Sequence, residues 1–251
     1  MALQIRPNTN TLGKALDPDG TLSHEQLRGE DFSGLKFDNL DIWDSTFEDC
    51  CFDRIKARVF GAAAGGKVSE FIDCTFRRAM LSKLALGGRA RFIICSFDNA
   101  RLTNWICESV DFIDCTFDGA SLRSMQIWGS INEPAIGKSP AKHWTNDISG
   151  NDFSQAKICD IDFRTGVDLT QQKLPTGPDY LYTENVPAAL DRGHQVLASL
   201  PPGLAHDTVE FLLEWIDTQY QDGQLHAFHP RLKTYPDEMW IPLHEAMNEA
   251  L

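Results

Sequence analysis

Nowhere in the 251 residues do eighteen consecutive apolar side chains occur, and the opening MALQIRPNTNTLGK has no long apolar segment behind a basic tip. Both absences argue against a membrane-spanning helix and a secretory leader, so a soluble, cytoplasmic protein is expected. Basic residues are scarce: 23 Lys and Arg face 36 Asp and Glu, a net charge of -13. That balance excludes a generally basic nucleic-acid binder and an adhesive cationic membrane protein, and neither nucleic acid nor membrane is expected as a direct partner. There is no GxSxG elbow, no convincing CxxC pair and no coherent acid–base set, so no enzyme activity, metal or cofactor is expected. The seven cysteines, an odd number, do not suit a purely paired oxidised framework.

What is present is a five-residue ruler. Large apolar residues recur at Leu22, Leu27, Phe32, Phe37, Ile42, Phe47 and Phe52, and again at Phe71, Phe76, Leu81 and Leu86. The step resumes at Phe92, Phe97 and Leu102, at Phe112, Phe117, Leu122 and Ile127, and more weakly at Phe153, Ile158 and Phe163. Neither a 3.6-residue nor a two-residue period explains a run of this length. Two positions before many of these residues sits a small or thiol side chain: Cys50, Cys74, Ala79, Ala90, Cys95, Ala100, Cys115, Ala120 or Ala156. The stretches FIDCTFRRAML, FIICSFDNARL and FIDCTFDGASL begin at Phe71, Phe92 and Phe112, offsets of 21 and 20 residues. Four five-residue units therefore make one turn of a coil whose turns stack at about 4.8 Å, aromatic layers filling its centre. Asp38-Asn39, Asp98-Asn99 and Asp118-Gly119 have corner chemistry.

Units such as SGLKF, EDCCF, ARLTN and GASLR make residues 22–166 resemble the pentapeptide-repeat family. The resemblance implies a mainly β fold, a right-handed quadrilateral β-helix in which the large central residue and the small one two positions earlier point inward. The expected core is Phe32, Phe37, Phe47, Phe52, Phe71, Phe76, Leu81, Phe92, Phe97, Leu102, Phe112, Phe117, Leu122, Phe153 and Phe163.

The ruler is interrupted around GAAAGGK, near GGRAR, and most strongly by a loop near 131–150 that includes Pro134 and Pro140. GAAAGGKV falls one residue short of a phosphate loop, since Val68 stands where Ser or Thr would approach magnesium, and no strand-to-helix transition surrounds it. Cys74, Cys95 and Cys115 are expected to stack as core thiols, with a shared metal site as the lesser alternative. His226 and His229 are close in sequence but lack a defined ligand geometry.

Residues 1–21 are a lead-in and residues 167–251 a connector followed by helices. The pattern predicts helices over 187–199, 207–221 and about 236–250, with Asp207 and Glu210 in a capping arrangement, Gly223 as a stop and Leu251 closing the last apolar stripe. Phe211, Leu212, Trp215, Ile216, Trp240 and Leu243 form candidate apolar faces, which either cap the open end of the coil or build a homodimer. The tail holds 13 acidic and 4 basic residues, whereas residues 51–91 hold 3 and 9. A noncatalytic protein-binding module is the expected function. The resemblance offers DNA gyrase or topoisomerase IV as its partner, with protection from a toxin or antibiotic by DNA mimicry. The alternative is a scaffold, effector or adaptor for another protein, and an enzyme assembled from distant loops comes last.

Overall fold

A computed structural model describes residues 19–133 and 142–249. Most of the N-terminal lead-in, Pro134, Pro140 and Leu251 lie outside the described residues. From Asp19 to Lys173 the chain winds a β-solenoid, each turn having four sides joined by tight corners.

The first side stacks Leu27, Phe47, Phe71, Phe92, Phe112 and Ile148 in parallel register. On the second side, single bridges link Asp31, Cys51, Thr75, Ser96, Thr116, Asp152 and Lys173, so the residues that follow them form the column Phe32, Phe52, Phe76, Phe97, Phe117 and Phe153. The third aligns Phe37, Ala57, Leu81, Leu102, Leu122 and Ile158. The fourth pairs Leu22 with Ile42, and Cys107 with Ile127 and Phe163. The residues Phe32 to Phe163 of the expected core are buried, whereas Leu86, also on the ruler, is only partly buried.

The Phe32-to-Phe153 column is a continuous ring stack with centroids 4.5–5.2 Å apart. A second stack, Phe47 to Phe112, meets it edge to face, for example Phe47 on Phe52 at 5.4 Å. Offset stacks and T-contacts are the two arrangements the ring quadrupole favours, so one core satisfies both. Beside them the thiols of Cys74, Cys95 and Cys115, with Cys50 above, each donate to main-chain carbonyls of the coil. At the next rungs Asn151 and Gln172 take over the column. The Asn151 amide donates to Phe112 O and to Gln172 Oε1, and accepts from Cys115 N, which satisfies both buried side chains.

Side four breaks the size rule. Its inward position two residues earlier holds Leu40, Phe60, Leu84, Trp105, Met125 and Ile161, while Ala62 and Cys107 occupy the central position. On two turns, Phe60 with Ala62 and Trp105 with Cys107, the large and small residues have exchanged places, which removes the ruler's marks there; the shift of phase before Phe71 comes from a turn of 24 rather than 20 residues. The corners contain positive φ, as expected, at Asn99 and Gly119, but Asn39 lies inside the continuous strand Lys36–Trp43. On the corresponding later turns the left-handed positions are Asn104 and Ser124.

All the extra residues leave the coil at one corner, between the fourth and first sides. Ala64–Lys67 adds a small loop, and Gly87-Gly88 packs beneath it. A side chain at Gly88 would sit 2.1 Å from Lys67 O, so only glycine lets the two loops stack. The described residues of the long interruption include an antiparallel ribbon, Ser130–Glu133 with Lys142–Thr145.

Beyond the coil, Tyr180–Thr183 pairs antiparallel with Ala227–Pro230, and three helices follow the fold's end: α1 (Val186–Ser199), α2 (Leu204–Gln221) and α3 (Asp237–Met247). Phe228 packs edge to face on Phe163, while Gln224 donates to Val167 O and accepts from Val167 N, closing the last turn. Helix α2 starts at Leu204 with Gly203 as its N-cap, three residues before Asp207. The predicted Asp207 cap does not form because the Pro201-Pro202-Gly203 turn already initiates the helix. Among the described residues no helix is long and apolar enough to cross a membrane.

Candidate interaction surface

Because alternate residues of each side point inward, every side presents columns of outward side chains in register, and residues about twenty apart in sequence become neighbours. Side three carries the column Lys36, Lys56, Met80, Arg101, Ser121 and Lys157. Arg58, Lys83 and Arg123 lie alongside. All of these cations are exposed, and among the described residues only Arg58 has an ion-pair contact, with Asp38 at 4.0 Å. Asp38 and Asp160 stand in the neighbouring column, and Asp179 borders the cleft that holds Arg123 and Asp160.

Side one differs in both charge and polarity. Asp49, Asp73, Asp114 and Asp147 are exposed there, and Glu48 pairs with Arg28 at 3.5 Å. A ladder of Ile72, Ile93 and Ile113 runs between the acids, with Ile94 exposed at its edge. Asp111 on this side is almost fully buried. Its oxygens accept from Arg89 Nε at 3.2 Å, Arg91 Nε at 2.9 Å and the Asp147 amide at 2.9 Å, while Arg91 also reaches Glu70 at 2.8 Å. Arg89 further donates to Thr145 O, so this network ties the β-ribbon to the coil. Trp144 Nε1 and Asn146 Nδ2 both donate to Glu108 O at the same place. A shallow cleft of about 650 Å³ opens beside this root, bordered by Arg89, Ile106, Glu108 and Trp144.

The helical residues divide into two sets. Leu212, Ile216, Trp240 and Leu243 are buried in a cluster formed by the three helices together with Leu181, Ala227 and Tyr235, and Trp215 is half-buried against the His229 ring at 5.6 Å. Phe211 is 64% exposed on the opposite face of α2. That outward face also carries Asp207, Glu210, Glu214 and Asp217, all exposed. The acidic face is a feature the apolar stripe concealed, although the spacing of 3, 4 and 3 residues marks one side of a helix.

The seven cysteines are all free, and among the described residues no cysteine joins a cluster that could hold a metal ion. Contact with Cys74 and burial push the Cys50 thiol far above its ordinary value, and burial does the same to Cys95 and Cys107. Lys67, from the near-match to a phosphate loop, gives its amide to Asp44 Oδ1 at 3.0 Å. His226 Nδ1 accepts from the Leu169 amide, whereas His229 Nε2 meets Tyr235 Oη at 3.1 Å, so the two rings serve different partners. Burial pushes His229 down to about 4. His206, Asp207 and Glu210 bring donor atoms within 4.8 Å of one another on the surface of α2.

These faces and the four-sided core define the class: a β-solenoid with sides five residues long and a helical C-terminal region. No family model matches the chain, and no curated protein matches it. Among solved structures it is similar to QnrB1, a plasmid-mediated fluoroquinolone resistance protein. A trypsin-treated form is 14% identical, with 64% of this chain and 85% of that one covered at a TM-score of 0.30. Full-length QnrB1 is 19% identical, over 62% and 82%, at 0.23. HetL, a pentapeptide-repeat protein involved in heterocyst differentiation regulation from the cyanobacterium Nostoc, is 15% identical, over 62% and 85%, at 0.20.

Proposed function

We propose that the protein is a noncatalytic module that binds other proteins through the flat sides of its coil. The observation that carries this reading is the division of chemistry. Most thiols and aromatic rings are consumed by the core, while the outward columns are ordered arrays of charge, and among the described residues those of side three have few internal partners. Such arrays recognise shape and charge, and the stacked backbone behind them holds their spacing. Replacing Asp49, Asp73 and Asp114, whose backbone is left-handed, by asparagine should remove partners captured on side one while leaving the far-UV circular dichroism unchanged. Capture that survives the replacement would refute this use of the face.

A second reading is binding to DNA gyrase or topoisomerase IV with protection from a toxin or antibiotic by DNA mimicry. The acids of side one and the neighbouring β-ribbon favour it. The row of Asp49, Asp73 and Asp114 is interrupted by Ile94, however, and side three has the opposite charge. The test is gyrase supercoiling with a poison at rising protein concentration. Protection supports mimicry, and absence of both binding and protection for both enzymes rejects it.

A further inference from the structure

We infer that the cationic side three is a docking surface for a second copy of this chain, occupied by the acidic face of that copy's helix α2. This association is separate from the partner binding proposed above.

Three observations converge on the occupant. First, side three offers Lys36, Lys56, Arg101 and Lys157 in a single column without ion pairs of their own. Five rung intervals at about 4.8 Å make this column roughly 24 Å long. Second, the chain itself carries a matching element. Asp207, Glu210, Glu214 and Asp217 lie on the exposed face of α2 and extend over about 15 Å at 1.5 Å per residue, long enough to span about three rungs of the column. Third, each surface has an apolar side chain within its charged row. Phe211, 64% exposed, stands next to Glu210, and Met80, 37% exposed, interrupts the cationic column. A single-stranded nucleic acid fits this face less well, since its outward columns supply cations but no aromatic platform on which bases could stack. Complementary charge, with an apolar contact within each row, fits a helix laid along part of the side of the coil.

Both surfaces belong to every copy, so two chains can exchange them reciprocally, helix to coil and coil to helix, in a closed pair. The apolar stripe of α2 is not needed for this contact because Leu212 and Ile216 remain inside their own chain.

The experiment is sedimentation velocity of the full chain at low and high salt, with charge-reversed variants. The wild type should associate at low salt and dissociate in about 0.5 M salt, where the screening length falls well below 10 Å. Lys56→Glu with Arg101→Glu, and separately Glu210→Lys with Glu214→Lys, should each weaken association by roughly tenfold or more. Mixing the two variants restores both opposite-charge contacts and should recover a heterodimer, which also shows that neither variant has lost its fold. A wild-type monomer at all accessible concentrations would overturn the proposal, as would association indifferent to either reversal. Binding of a single-stranded oligonucleotide or a polyglutamate peptide to side three of a monomeric wild type would assign the face to another polyanion and overturn it equally.

Discussion

A phenylalanine ring in the column from Phe32 to Phe153 touches one ring above, one below and a third edge-on, so its removal opens a cavity that no neighbour can fill by rotating. Phe97→Ala should therefore cost about 3–5 kcal/mol in urea unfolding, and Phe97→Asp more, because a buried carboxylate finds no partner there. A near-neutral Phe97→Asp would remove the ring from the core. The thiols differ in access. Cys51 and Cys159 are partly exposed, while the others are buried. An alkylating reagent should label those two in the native state and the remaining five only after unfolding, as mass spectrometry of the modified peptides can establish. His229 contributes a pH dependence with a definite sign. Its folded pKa of about 4 lies below the ordinary 6.5, so the unfolded chain binds more protons between these values. Stability should hold above about pH 6.5 and decline toward pH 4, by up to roughly 2–3 kcal/mol from this group. His229→Gln should flatten that part of the profile, and an unchanged slope would place its origin elsewhere.

Among the elements, α2 has two faces with separable roles. Leu212 is closed within the helical cluster, so Leu212→Asp should destabilise the tail by several kcal/mol and reduce helical ellipticity. Phe211→Ser should change stability by less than about 0.5 kcal/mol, since that side chain is exposed. Loss of ellipticity in Phe211→Ser would place that ring in the cluster after all. The helices themselves are visible in the sequence as apolar stripes, but their starts are less so. Gly203 initiates α2 ahead of the Asp207 signal because backbone geometry at the Pro-Pro-Gly turn acts before any side-chain cap. The strands show the same contrast. Most turns announce themselves through one large residue every five, whereas the fourth side hides on two turns because Phe60 and Trp105 fill the space that small residues occupy elsewhere. A periodicity search keyed to one size of side chain sees that exchange as missing marks.

For the whole molecule, the core was far easier to foresee than the surface. Repetition over many turns exposes the inward positions, but the cationic column joins Lys36, Lys56, Arg101 and Lys157, which no local window contains together. In the linear sequence only a positive block over 51–91 is apparent, and it mixes residues from all four sides. Asn151 and Gln172 were equally obscure, because their amides matter only once the rungs carrying them are stacked.

Confining every insertion to the junction of sides four and one separates two kinds of evolutionary change. Segments grafted at that seam can lengthen, shorten or alter their chemistry while the aromatic spine keeps its pitch. Insertions at the remaining corners have no such freedom, since any added residue there would shift the alignment of all later layers.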